Sequence, residues 1–235
     1  AVTLPYLRNA TSQSELALFY GISKSCLNRT LEWTIVHLRA SLESLQVVST
    51  SENTPAIGAF KSCGCIDCCT HPRARVHPGE DTHYLGDESI HFLSSQVAVD
   101  HTGYIMRLTV AKGHMNDQGL FNISDMAEWL ERRQLAPLLG DLAYSGKGLI
   151  PPIGTETLLF HGNATKADEF NQQHATQRAI VENVNSWFKN WRFTAVQCYL
   201  APKMQAMALI VCGMLNNITS HLNVRNRTRI LTADV

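Results

Sequence analysis

The chain has 235 residues with 20 basic and 20 acidic side chains, so its net charge is zero. Apolar residues make up 45% and charged residues 17% of the chain, a globular composition that excludes intrinsic disorder. The longest apolar run, 204–215, is shorter than the roughly 20 residues needed to cross a bilayer. We also expect neither a secretory leader nor a disulfide framework. These features predict one main domain with a small additional unit, and no association with membranes.

The first part of the chain, residues 1–50, predicts a small helical unit. Segment 12–31 has the pattern of two short helices around a tight turn. Ala17 allows the helices to cross closely, Gly21 provides a left-handed turn, and Leu27 places an apolar side chain on the second helix. This spacing is typical of a helix-turn-helix unit.

The second helix is expected at about 24–31, with Ser23 placed to cap it. In a DNA-binding unit this helix would enter the major groove and present Lys24, Ser25 and Asn28. A plain helical hairpin explains the pattern equally well, so both interpretations remain.

A polar, turn-rich segment at 49–55 predicts a linker. The main domain is expected at 56–220, and a tail at 221–235. The domain opens with a short predicted strand that ends at Asp67. A carboxylate at a strand end is the first candidate for a site.

Two longer strands are predicted at 90–100 and 104–111. Apolar and polar residues alternate in the second of them, which predicts a hairpin with one buried face. A loop carrying His114 and Asp117 follows, and Ser124 is placed to cap the next helix. We expect His114 to be structural rather than catalytic.

The rest of the chain predicts one more short strand and then helices. Segment 136–141 is a short apolar run that ends on a second acid, Asp141. From about residue 165 the pattern is helical, and Glu182 lies opposite the apolar stripe of its helix. That stripe consists of Ile180, Val184, Trp187, Phe188 and Trp191. We assign its aromatic residues to the core rather than to stacking on bases.

Three carboxylates could meet in such a fold: Asp67, Asp141 and Glu182. Hard divalent cations prefer oxygen ligands. Two such ions, about 3.5 to 4 Å apart, can activate a water or a 3′-hydroxyl and stabilise the leaving oxygen in a displacement at phosphorus. Each acid alone is weak evidence, since acids at strand ends and on helices are commonly solvated or capping.

The segments around these acids resemble, in the same order, the motifs of the PIF/Harbinger group of DDE transposases. They are GCIDCCTH at 64–71, VAVDHTG at 97–103, GHMND at 113–117, LGDLAY at 139–144, RAIVE at 178–182 with WFK and RF after it, and CGMLNN at 212–217. The resemblance extends from about residue 58 to residue 218. Several ordered segments are far more specific than any one of them.

This resemblance implies an α/β fold of the RNase H-like type, a mixed sheet flanked by helices. It implies that Asp67, Asp141 and Glu182 bind two Mg²⁺ or Mn²⁺ ions and act in catalysis, with Asp117 as a further metal-associated acid. The implied activity is the cutting and joining of DNA by a transposase or a nuclease derived from one.

The same resemblance implies DNA as the partner, with Arg178, Lys189 and Arg192 at its phosphates. Residues 178–235 carry seven basic and two acidic side chains, which suits a polyanion, although a solvated helical face would look the same. The group suggests a nuclear protein, and it leaves room for a separate DNA-binding partner protein and for a homo-oligomer.

Two departures from the group support a second hypothesis. Segment 84–88 is acidic where the group has a basic, glycine-containing stretch, and Asn183 follows Glu182 where an arginine is common. Both changes affect expected DNA contacts rather than the metal site. A domesticated or degraded copy that binds DNA without cutting it is therefore the alternative.

A cluster of thiols and imidazoles near Asp67 has its own alternative. It comprises Cys63, Cys65, Cys68, Cys69, His71 and His77. Such side chains are the usual ligands of zinc. Reduced, partly buried thiols are the simpler interpretation, because alternation along a strand would point them to opposite faces.

Overall fold

The computed structural model describes residues 2–44, 60–75, 84–85, 90–113, 115–154 and 164–232. Its helices are α1 (Thr3–Asn9), α2 (Gln13–Phe19), α3 (Lys24–Ser44), α4 (Asp117–Ile123), α5 (Met126–Arg132), α6 (Ala164–Lys189) and α7 (Pro202–Thr232), with a 3-10 helix at Arg192–Thr194. Its strands are β1 (Gly64–Arg73), β2 (Tyr84–Leu85), β3 (Ile90–Val99), β4 (Ile105–Lys112), β5 (Leu138–Leu139) and β6 (Leu149–Ile150).

The strands in the described part of the chain form one mixed sheet. Its order is β2-β3-β1-β5-β6, and β4 pairs with β3. The pairs β1–β5 and β5–β6 are parallel, whereas β2–β3 is antiparallel. This confirms the predicted α/β class with a mixed sheet and flanking helices. Strands β2 and β6 were not predicted.

The chain folds into two compact units. The first unit contains residues 1–49, 70–93 and 187–235, and the second contains 50–69 and 94–186. The predicted domain boundaries at 50 and 56 lie outside the described residues, as does the predicted linker, so they stay predictions.

In the second unit, helices cover both faces of the sheet. One face packs Ile66, Ala98, Met106 and Leu138 against Phe121, Met126 and Leu130 of α4 and α5. The other face packs Cys65, Val97, Val99, Ile105 and Leu139 against Val181 and Val184 of α6. Neighbouring residues of one strand thus enter different cores, as the pleat of a strand requires.

The prediction that this hairpin buries only one face is wrong. Strand β3 is buried from Phe92 to Val99, on both of its sides. It lies in the interior of the sheet, paired with β1, β2 and β4. A strand covered by helices on both faces has little reason to alternate.

Strand β1 is longer than predicted. It continues to Arg73, so Asp67 lies inside the strand rather than at its end. Its first residue, Gly64, has φ +155°, and a Cβ built there would be 1.8 Å from the backbone oxygen of Val99. Only glycine allows the chain to pass so close to the end of β3.

The segment after β4 forms two short helices instead of one. Asn116 caps α4 by accepting a hydrogen bond from the Gly119 N–H, at 2.7 Å. Asp117 therefore begins a helix, whereas the sequence placed it in a loop. The prediction that Ser124 caps the following helix is wrong: it ends α4, and its hydroxyl donates to Gln96 Oε1 at 3.0 Å. His114 lies outside the described residues.

In the first unit, α2 and α3 flank a tight turn, as predicted. Gly21 has φ +65°, and Ser23 Oγ accepts from the Cys26 N–H at 3.2 Å, which confirms the cap. The second helix was predicted to end at 31 but continues to Ser44. Leu31, Ile35 and Leu42 extend the buried face of α3, and no glycine or proline interrupts it.

The C-terminal helices also differ in detail from the prediction. Trp187 was assigned to the core, but it is 42% exposed, while Val184, Phe188 and Trp191 are buried as expected. Helix α7 runs to Thr232, so most of the predicted tail is helical. Among the described residues, no helix has the length and apolar character that a bilayer span requires.

Candidate active site

Asp67, one of the predicted catalytic acids, lies within strand β1. Its side chain is 20% exposed. Asn185 of α6 donates a hydrogen bond from Nδ2 to Asp67 Oδ2 at 3.0 Å, and Arg178 Nη1 lies 3.6 Å from Asp67 Oδ1. Burial raises the pKa of Asp67 to about 6, against the opposing effect of Arg178. The ionised carboxylate is therefore costly in the protein without a further cation.

Asp117 and Asp141 lie close enough to Asp67 for their charges to interact. Both raise the pKa of Asp67, and the pKa of Asp117 is itself raised, first by burial and also by Asp141. Asp141 directly follows Gly140 after β5, and its Oδ1 accepts from the Ala143 N–H at 2.9 Å. The charges of Asp117 and Asp141 therefore act on Asp67, and we call these three predicted acids the carboxylate cluster.

Glu182 is joined to this cluster only indirectly. Its side chain is 57% exposed, and its Oε1 accepts from Arg178 Nη2 at 2.7 Å. Arg178 therefore stands between Glu182 of α6 and Asp67 of β1. Across the part of the chain that the structure describes, no three His, Cys, Asp or Glu side chains are arranged tightly enough to hold a metal ion as they stand.

The residues present nevertheless suit a hard divalent cation. The carboxylate cluster supplies only oxygen donors, and neighbouring negative charges raise the pKa of Asp67 and of Asp117, an effect that a bound cation would oppose. Beside Asp67, the Oδ1 atom of Asn185 is buried and has no hydrogen-bond partner. This buried acceptor belongs to a residue that already contacts Asp67 through its amide nitrogen.

A polar network behind the cluster was missed by sequence reasoning. Tyr144 OH lies 3.2 Å from Cys68 Sγ and accepts from Gln96 Nε2 at 3.4 Å. The same Gln96 nitrogen donates to the backbone oxygen of Asp117 at 3.4 Å. Tyr144 is fully buried, only three residues beyond Asp141. Tyr144, the aromatic residue of the LGDLAY motif, was the sequence feature that could have indicated this network.

The loop that carries Asp141 is also fixed from the side. Gln118 of α4 accepts from the Ser145 N–H at 2.7 Å and donates to the Ser145 backbone oxygen at 3.1 Å. This pair of hydrogen bonds ties the Asp141 loop to the helix that begins with Asp117. These bonds therefore fix the backbone positions of Asp117 and Asp141 relative to each other.

The cysteines near Asp67 behave as buried thiols. Cys65 packs in one core of the sheet and Cys68 in the other, as alternation predicted. Burial raises the pKa of Cys63 and that of Cys65 to about 12, so neither is a thiolate at neutral pH. His77 of the proposed zinc cluster lies outside the described residues.

The residues predicted to contact DNA differ in solvent exposure. Lys24, Lys189 and Arg192 are exposed. Asn28 is half-buried and accepts from Gln13 Nε2 at 3.2 Å. Arg178 is only 19% exposed and faces two carboxylates. Its contact with a phosphate stays a prediction, as do the others.

A comparison with known protein families defines the class to which this fold and site belong. The family model described as DDE superfamily endonuclease matches residues 66–217, well over half of the chain. No curated protein and no solved structure matches the chain. The match begins next to Asp67 and includes Asp117, Asp141 and Glu182.

The chain therefore belongs to the DDE superfamily endonucleases. Membership implies an enzyme of the nuclease or transposase type with DNA as its substrate, in a family whose members typically use divalent metal ions.

Proposed function

We propose that this chain is a transposase of the PIF/Harbinger type, or a nuclease derived from one, that cuts and joins DNA by a two-metal mechanism on an RNase H-like fold. The observation that carries the proposal is the carboxylate cluster in the second unit. Its acids come from separate elements, β1, the start of α4 and the loop after β5. The family match and the order of the motifs support the same conclusion.

Asp67, Asp117 and Asp141 would hold the cations, and Glu182 would complete the set from α6. Two bound divalent cations would activate the attacking oxygen and stabilise the leaving oxygen at phosphorus. Asn185 orients Asp67 through its amide hydrogen bond. The burial of Asp67 removes water from one side of the site, which strengthens its interaction with a bound cation.

The proposed DNA contacts are Lys24, Asn28, Lys189 and Arg192, together with Arg178. The exposure of three of them, Lys24, Lys189 and Arg192, supports the assignment. We infer that α2 and α3 act as a helix-turn-helix unit, because the turn and its serine cap have the expected geometry. By the same family argument the protein would act in the nucleus, in contact with a second DNA-binding protein or as a homo-oligomer.

The second candidate is a DNA-binding protein that has kept the fold and lost the chemistry. The observation that favours it is the exposed position of Glu182, which binds Arg178 instead of facing the other acids directly. In such a protein the DNA-binding residues would remain necessary, while the acids would not.

Calorimetry with Mn²⁺ followed by nicking of a supercoiled plasmid separates the two candidates. The samples are the wild type, Asp67→Ala and, as matched control, Asp168→Ala, which changes an exposed aspartate on α6. The enzyme predicts metal binding and metal-dependent nicking by the wild type and the control, both lost in Asp67→Ala. Duplex binding without metal binding or nicking in any sample would establish the non-catalytic candidate.

A further inference from the structure

Arg178 occupies an unusual position for an arginine on a helix. One guanidinium nitrogen, Nη2, donates to Glu182 Oε1 at 2.7 Å. The other, Nη1, is buried, makes no hydrogen bond, and lies 3.6 Å from Asp67 Oδ1. A single side chain thus spans two acids that come from a strand and a helix.

Burial distinguishes this arrangement from an ordinary helical ion pair. Arg39 and Glu43 of α3 also form an i,i+4 pair, with 2.8 Å between Nε and Oε1, but both are at least a third exposed. Arg178 and Asp67 are 19% and 20% exposed. Exposed pairs contribute little to stability, whereas a charge placed beside a buried carboxylate is screened weakly and acts strongly.

A guanidinium at this place conflicts with a bound cation. Glu182 Oε1 accepts from Arg178, and Nη1 lies 3.6 Å from Asp67 Oδ1, the oxygen that does not accept from Asn185. Two positive charges within such distances repel, and the low exposure of the site weakens the screening by water. A divalent cation bound to these acids would therefore compete with Arg178 for both of them.

We propose that Arg178 is a positioning residue that holds Asp67 and Glu182 together in the metal-free protein and leaves both acids when a divalent cation binds. The proposal rests on the function proposed above, since it assumes that these acids bind metal. Once released from the two acids, the guanidinium can bind a DNA phosphate.

The test is calorimetric titration of the full chain with Mn²⁺ at pH 8, in the wild type and in Arg178→Gln. Removal of the competing positive charge is expected to lower the Kd for Mn²⁺ by about tenfold. Arg178→Lys, which keeps the charge but cannot bridge two acids with a fork, is expected to lie between the two. Arg39→Gln removes an arginine from an exposed i,i+4 pair and is expected to leave the Kd unchanged.

A second readout is the melting temperature in EDTA and in Mn²⁺. Arg178→Gln is expected to melt below the wild type in EDTA and to gain more from Mn²⁺. If that variant does not fold, Arg178→Lys decides, and a Kd below that of the wild type supports the proposal. A Kd for Mn²⁺ that is unchanged or raised in the folded variants overturns it and leaves the proposed function standing. Absence of Mn²⁺ binding in the wild type overturns both.

Discussion

Asp67→Asn is expected to stabilise the metal-free protein at neutral pH. Burial raises the pKa of Asp67 from 3.8 to about 6, so the native state holds its proton more tightly than the unfolded chain does. Ionisation of Asp67 therefore costs stability. The cost is absent below about pH 4, grows between pH 4 and 6, and is complete above pH 6.

The size of the effect follows from the same shift. Each pKa unit corresponds to about 1.4 kcal/mol, so a change of about two units gives up to about 3 kcal/mol above pH 6. The contribution of Arg178 is already contained in this net value, since its charge lowers the pKa. Asparagine resembles the protonated acid in shape and carries no charge, so the variant should recover most of this free energy.

Urea unfolding in EDTA at pH 8 and at pH 4 measures this prediction, with Asp168→Asn as the exposed control. The free energy of unfolding of Asp67→Asn should exceed that of the wild type at pH 8 and match it at pH 4. Added Mn²⁺ should stabilise the wild type and not the variant. A variant that is less stable than the wild type at pH 8, or equally shifted at both pH values, would refute the reasoning.

Three further predictions follow from particular contacts. Gly64→Ala should lower the free energy of unfolding by at least about 3 kcal/mol, because it adds a steric overlap to a strained conformation. Gly146 has φ +113° and no atom within 4 Å of a Cβ built there, so Gly146→Ala should lower the free energy of unfolding by less. Denaturant titration compares the two variants. Tyr144→Phe should cost about 1 to 2 kcal/mol in the same assay, since Gln96 loses a buried partner. Lys189→Ala should weaken binding to any duplex and reduce the slope of log K against log salt by about one in anisotropy titrations.

Local signals in the sequence were sufficient for a good part of the fold. The turn between α2 and α3 was predictable because Gly21 and Ser23 act within a few residues, through a left-handed conformation and a cap. The candidate acids could be named because the segments around them resemble the motifs of a known family. These features depend on neighbours in the chain, so the chain alone carries the information.

Errors arose where one pattern admits two local structures. The extension of α3 beyond residue 31 was missed because a helical pattern continues there without a cap to mark its end. Ser124 was taken as the start of a helix, although the αL conformation of Asp125 separates two helices at that point. A serine is common at the start of a helix, but here the Ser124 hydroxyl bonds Gln96 and the Phe121 backbone oxygen at the end of α4.

The sequence therefore determined the superfamily, most of the element types and the candidate acids, through short-range patterns and ordered motifs. The tertiary structure decided how those acids are held. Asp67 lies inside a strand, Asn185 donates to its Oδ2, and Arg178 lies near its Oδ1. Glu182 is linked to Asp67 through its ion pair with Arg178. Burial and charge coupling between residues more than a hundred positions apart depend on which strands pair and which helix covers them. No local pattern encodes these distances, because they exist only once the sheet and α6 have packed together.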